Sequence, residues 1–196
     1  MDTELAYRLI FLRHGQTDWN VEERLQGQRD IPLNGIGRDQ AASAGRSCKP
    51  WLESDLNFLC SPLQRTRETM TIARQAMGLQ PSPFATDDRL KEISFGDWEG
   101  MTWGEIEKAD PARANARDAD KWGYAPPGGE SYVMLAERIK PVLAELSADT
   151  LIVSHGGVAR ALMALIGGVS PKRAPLLNVY QGRPLVFEGG RCKWYS

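Results

Sequence analysis

The sequence predicts an α/β fold: a three-layer sandwich with a mostly parallel central sheet and helices on both faces. Three observations carry this. Leu9-Ile10-Phe11-Leu12 and Leu151-Ile152-Val153 are continuously apolar rather than alternating, as suits strands covered on both sides. Helical stretches separate the strand-like runs along the chain, the order expected of parallel strands joined by crossovers. Both apolar runs end in a histidine followed by glycine, at His14-Gly15 and His155-Gly156. In open sheets of this kind, ligands bind beyond the carboxyl ends of the strands.

The elements follow in order. The first strand ends at Arg13-His14-Gly15, and a long polar loop runs from Gln16 past Pro32. Asn34 caps a helix that continues to about Cys48, with Pro50 just beyond as a stop. Leu56 to Cys60 is a second strand. Ser61-Pro62 then reads as the N-cap and first-turn pair of a helix from about Leu63 to Ala76, which places Arg65 in its first turn. There the unpaired amides and the helix dipole already favour an anion.

Pro81 to Thr86 holds a third strand near a sheet edge, since prolines interrupt a central ladder. Leu90 to Gly100 has neither period and reads as a shaped loop. Thr102 to about Asp120 is helical and divided at Asp110-Pro111, and Trp122 to Gly129 is a Pro/Gly loop. Glu130-Ser131 opens an amphipathic helix with Val133, Met134, Ala136, Ile139, Val142, Leu143 and Leu146 on its apolar face, bent at Pro141. Thr150 to Ser154 is the next strand, and a helix from Val158 to Ile166 stops at Gly167-Gly168. The tail reads as strands at Leu176–Tyr180, Pro184–Glu188 and Arg191–Tyr195, the last two joined at Gly189-Gly190.

The totals narrow the function classes. A chain of 196 residues fits one domain, spanning 1–196, with a helical and loop insert at about 96–130 over the active site. A net charge of -1 gives no general attraction to nucleic acid. No stretch is long and apolar enough to cross a bilayer. Met1 to Glu4 lack a secretory start, so a cytoplasmic location is expected. Three cysteines, Cys48, Cys60 and Cys192, lack paired spacing and read as reduced core thiols. With only two histidines, sites built on several imidazoles are excluded, and neither a metal nor a cofactor is expected. The sequence carries no signal of oligomeric state.

The strand-end residues Arg13, His14, Arg65 and His155, with an acid from a nearby loop, compose a phosphate site with a nucleophile. Guanidinium forks match a tetrahedral oxyanion and disfavour protonation of neighbouring imidazoles, and a histidine nucleophile must be neutral. Gly15 and Gly156 let the backbone approach the bound group, and the helix after His155 presents its positive end to it. Glu92 has rivals in Asp87, Asp88, Asp97, Glu99 and Glu105, and spacing does not choose between them. The aromatic group Trp98, Trp103, Trp122 and Tyr124, with Met101, either lines the cleft or, the blander account, packs the insert.

Arg13-His14-Gly15-Gln16-Thr17-Asp18-Trp19-Asn20, Ser61-Pro62-Leu63-Gln64-Arg65-Thr66, Glu92 ahead of Phe95-Gly96-Asp97-Trp98-Glu99-Gly100, and Ser154-His155-Gly156-Gly157 together resemble the histidine phosphatase superfamily, in the branch that includes cofactor-dependent phosphoglycerate mutases. The resemblance implies that His14 takes a phosphoryl group, that Arg13, Arg65 and His155 hold its oxygens, and that Glu92 is proton donor and then base. It also implies that Asn20 contacts phosphate and that Gln26-Gly27 lie near the substrate. Gln16 departs from the family, where glutamate is common at this position.

The expected activity is metal-independent hydrolysis of a small phosphomonoester. Sugar phosphates, phosphoglycerate derivatives, nucleotides and ribazole phosphate all remain compatible. A mutase is the second reading, because Arg113, Arg117 and Lys121 could grip a second phosphate. It is disfavoured because the stretch after Glu92 is short and Pro127-Gly128-Gly129-Glu130-Ser131 resembles phosphatase members. A third is a non-catalytic phospholigand-binding protein on the same fold.

Overall fold

The computed structural model describes residues 6–52 and 55–196; the start of the chain, read above for a leader, lies outside the described residues. Six strands form one sheet: β1 (Leu9–Arg13), β2 (Asn57–Cys60), β3 (Ala85–Thr86), β4 (Thr150–Ser154), β5 (Leu185–Glu188) and β6 (Arg191–Trp194). Their order is β3-β2-β4-β1-β5-β6. β3, β2, β4 and β1 are parallel, and β5 and β6 run antiparallel to their neighbours.

Alternate residues of β1 explain the three layers. Leu9 and Phe11 face one core with Leu135 and Ile139 of α6 (Tyr132–Ala144) and Val158 and Leu162 of α7 (Gly156–Ile166). Ile10 and Leu12 face the other, with Ala44 and Cys48 of α2 (Gly35–Cys48) and Met70, Ala73 and Met77 of α3 (Gln64–Met77). A strand buried on both faces has no polar side to alternate with, hence its continuous apolar run. Asn34 caps α2 as expected, its side chain accepting from the Gly37 amide at 2.9 Å. Burial pushes the Cys48 and Cys60 thiols up to about 12, which keeps them inert.

Three expectations need correction. Ser61 does not cap α3: Pro62 and Leu63 stay outside the helix, and the first helical amide, of Gln64, donates to Asp30 Oδ1 at 2.7 Å instead. Leu176–Tyr180 is not a strand. A 3-10 turn covers Ala174–Leu176, and the carbonyls of Leu177 and Val179 accept from Arg160 Nε and Arg13 Nη1, both at 2.9 Å, in place of a ladder. On α6 the buried face is Tyr132, Leu135, Ala136, Ile139, Val142 and Leu143, leaving Val133 and Met134 exposed. Ser131 caps the helix one residue before Tyr132, so that residue takes the inward position. The helix runs through Pro141 to Ala144.

The insert contains α4 (Trp103–Ala109) and α5 (Pro111–Ala119), divided at Asp110 as the sequence predicts. Trp98, Ile106 and Ala114 form a small core of their own, with Phe95, Met101, Trp103 and Tyr124 packed around it. Trp122 instead stacks on Tyr132, at 5.5 Å between ring centroids, and joins the main core. The blander account of the aromatic group is the one the structure supports. Among the described residues, no helix is long and apolar enough to cross a membrane.

Candidate active site

Parallel register assembles the site. Arg13 pairs with Ser154, so the next residue on each strand, His14 and His155, lies beside the other, with ring centroids 5.2 Å apart. The His14 amide extends the ladder to the Ser154 carbonyl at 2.9 Å, and the Ser61 amide does the same to Val153 at 3.0 Å. Three strand ends thus deliver His14, Ser61 and His155 to one level.

Hydrogen bonds fix both imidazoles. His14 Nδ1 lies 2.7 Å from the Gly15 carbonyl, an acceptor only, so Nδ1 carries the proton and Nε2 keeps its lone pair. His155 Nε2 lies 2.8 Å from Ser61 Oγ. When the Ser61 hydroxyl donates to Nε2, the ring proton of His155 sits on Nδ1, the tautomer in which Nδ1 is a donor. Burial, then the charges of Arg65 and Arg13, hold the His14 pKa well below its ordinary value of 6.5, and the same causes act on His155.

Arg65 is fully buried. Its Nη1 donates to the Arg29 carbonyl at 2.6 Å and its Nη2 to the Gly27 carbonyl at 2.9 Å. Desolvation lowers the Arg13 pKa to about 10, which leaves it cationic at neutral pH. Among the described residues neither guanidinium forms an ion pair. Among the described residues, four buried side-chain polar atoms find no hydrogen-bond partner: Arg13 Nε, Gln26 Oε1, Arg65 Nε and His155 Nδ1. Buried donors are ordinarily paired, and all four of these belong to residues the sequence singles out. Three donors and one acceptor are therefore free for a polar ligand.

Glu92 stands close enough that its charge acts on both Arg13 and Arg65. Its carboxylate accepts from the Ile93 amide at 2.9 Å and from the Gly157 amide at 2.9 and 3.1 Å. This adds a use of α7 that the sequence does not predict. Its N-terminal amide holds the acid, and the glycine needed for close approach is Gly157, where a Cβ would come within 2.4 Å of Glu92 Oε1. Gly15 is likewise small for packing, since a Cβ would meet the Gly37 carbonyl of α2 at 2.1 Å. Gly156 lies against Arg13 and Arg160.

Asn20 is less free than its motif suggests. Its Oδ1 accepts from the Thr17 amide and from Gln181 Nε2, both at 3.1 Å, completing a capping box on the short helix α1 (Asp18–Val21). Gln26 is buried, and Gly27 adopts φ +49°, against Glu99 of the insert. Ser61, Gln181 and Arg160 were not identified as site residues from the sequence. Ser61 has the sequence setting of a cap, and the others lie on elements whose return to the cleft only the topology reveals. Of the three cations considered for a second phosphate, Arg113 pairs with Asp110 and Lys121 with Asp118, at 3.0 and 3.1 Å. Among the described residues Arg117 forms no ion pair, lying over Trp103 at 5.4 Å and Phe95 at 5.9 Å.

The model of the histidine phosphatase superfamily (branch 1) matches residues 9–195. The chain belongs to the histidine phosphatase superfamily. Among relatives of the same superfamily fold, glucosyl-3-phosphoglycerate phosphatase of Mycolicibacterium vanbaalenii is 37% identical over 184 residues, covering 87% of this chain and 79% of the relative. A 2,3-bisphosphoglycerate-dependent phosphoglycerate mutase of Methylobacterium radiotolerans is 34% identical over 193 residues, covering 91% and 88%. The solved structure of a mycobacterial glucosyl-3-phosphoglycerate phosphatase complexed with VO3 matches with a TM-score of 0.80 at 32% identity, over 97% of each chain.

Membership in this histidine phosphatase superfamily makes the two imidazoles worth testing directly, and they impose a pH signature on stability. The unfolded chain binds protons at about pH 6.5, whereas the folded chain resists doing so. Stability is therefore complete above about pH 6.5 and falls as the pH drops below it, by up to about 1.4 kcal/mol per pH unit for each histidine. His14 and His155 are the only histidines in the sequence. Urea midpoints between pH 7.5 and 5.5 in phosphate-free buffer are expected to decline, and His14→Ala should remove about half of the slope. A flat profile would contradict burial of neutral rings.

Proposed function

We propose that the chain hydrolyses a small phosphomonoester through a phosphohistidine on His14. The observation that carries this is that the unpaired buried nitrogens belong to Arg13, Arg65 and His155, the two charges that act on His14 and the ring beside it. The lone pair of His14 Nε2 attacks phosphorus in line while the P–O ester bond breaks. The guanidiniums and His155 Nδ1–H absorb charge on the equatorial oxygens, the main catalytic task in phosphoryl transfer. Glu92 gives a proton to the departing alkoxide. Water then attacks phosphorus, the P–N bond breaks, and Glu92 takes the proton of the water.

Gln26 Oε1 and Gly27 border the leaving group in this reading, and Asn20 acts through the loop it caps. The insert at 96–130 covers the site: Glu99 Oε1 accepts from the Gln28 and Phe95 amides, at 3.0 and 3.2 Å. Among the described residues Arg160 also has no acid partner, and with Arg117 it favours a substrate that carries a second, weaker anion such as a carboxylate. The glucosyl-3-phosphoglycerate named for the mycobacterial relatives is of that class.

Hydrolysis is favoured over mutase chemistry because Arg113 and Lys121 are neutralised at the surface, leaving too few cations for a second phosphate. Incubation with 3-phosphoglycerate and catalytic 2,3-bisphosphoglycerate is expected to release inorganic phosphate. Rapid isomerisation with little phosphate would reverse this assignment.

A further inference from the structure

Outside the groups that meet the substrate, one half-buried ion pair has a geometry that phosphate binding does not use. Arg138 projects from α6, and Glu130 lies just before that helix; their side chains are 21% and 18% exposed. Arg138 Nε and Nη2 fork onto the two Glu130 oxygens at 2.9 and 2.8 Å. Its Nη1 donates to the carbonyls of Arg89 and Lys91 at 2.6 and 3.0 Å, and its Nη2 to the carbonyl of Glu92 at 3.3 Å. All five N–H groups of the guanidinium are thereby engaged. Glu130 returns to the same loop, accepting from the Ser94 amide at 3.0 Å, while its own amide donates to the Ser94 carbonyl at 2.8 Å.

The loop from Arg89 to Ser94 has no ladder to fix it, so this pair supplies what a strand neighbour would. The Glu92 backbone is held from one side by Arg138, and its carboxylate from the other by the Gly157 amide of α7. We propose that Arg138, locked by Glu130, is a positioning residue for Glu92 and sets the geometry of proton transfer to the leaving oxygen. This rests on the reading of Glu92 as the acid. A lysine does not replace it, because an ammonium offers three donors from one point where five acceptors surround a plane.

A leaving-group comparison tests the assignment. A nitrophenolate departs without a proton, whereas an alkoxide needs one. Arg138→Gln is expected to lower kcat for glycerol 3-phosphate by about 30-fold or more, as misplacement of a catalytic group does, with kcat for p-nitrophenyl phosphate changed less than about threefold and KM for both retained. Arg138→Lys should behave similarly and Glu130→Gln more mildly, and they carry the test if Arg138→Gln fails to fold. In a Glu92→Gln background, Arg138→Gln should add no further alkyl-specific loss. Equal losses on both esters, or full activity on the alkyl ester, would overturn the positioning role while Glu92→Gln still separated the two esters. If Glu92→Gln itself does not separate them, the acid assignment fails and the positioning role falls with it.

Discussion

His14→Ala is expected to reduce hydrolysis of p-nitrophenyl phosphate by about 10⁴-fold or more, the scale seen when a covalent nucleophile is removed. No other group can accept the phosphoryl. His155 has Nε2 occupied by Ser61, and in the tautomer that donates from Nδ1 it has no free lone pair to offer. The arginines that grip the oxygens stay in place, anchored by Val179, Gly27 and Arg29. Inorganic phosphate should therefore still raise the melting temperature of the variant. In the parent, rapid quench with a labelled substrate should trap an acid-labile, base-stable phosphoenzyme that the variant lacks. Undiminished turnover, or equal labelling of both proteins, would remove His14 from the mechanism.

How far the sequence announced this site depends on what each residue contributes through its own element. Arg13, His14 and His155 were legible because a doubly buried strand must be apolar along its length, so the abrupt change to Arg-His-Gly marks where it emerges. Arg65 was legible because a strand, a short turn and a helix start follow one another within a few residues. What was not legible was pairing across distant segments. Ser61 looked like a local cap, and only the β2–β4 register shows that it faces His155. Leu176–Tyr180 had strand composition, yet its carbonyls are satisfied by arginine side chains from β1 and α7. Gly15 and Gly156 read as room for a ligand, whereas the structure packs Gly15 against α2 and places the close approach to Glu92 at Gly157. Glu92 itself was selected among its acidic rivals by family setting alone, since the bonds that seat it come from Gly157 and from the Arg138–Glu130 pair.

Arg65→Met is expected to separate activity from stability. Loss of this guanidinium should lower kcat/KM by about 10³-fold or more, comparable to removing an arginine that stabilises a phosphoryl transition state. An ordinary core truncation such as Leu12→Ala would instead cost about 2–5 kcal/mol of stability. Arg65 differs from Leu12 because it is a fully buried cation with no direct ion pair, and burial pushes its pKa down. Desolvating such an ion costs several kcal/mol, and methionine removes that cost while keeping most of the stem volume. Against this, the Gly27 and Arg29 carbonyls lose their donors, about 1–3 kcal/mol for each buried group left unpaired. The two effects nearly offset, so in phosphate-free buffer the variant should melt within a few degrees of the parent. The stabilisation that added phosphate gives the parent should disappear. A melting temperature that collapses without phosphate would make Arg65 a structural strut for the 26–30 loop, and retained turnover would take it out of the phosphate clamp. A cation kept unpaired at the centre of a fold is a cost that binding an anion relieves, and this substitution measures both sides of that exchange.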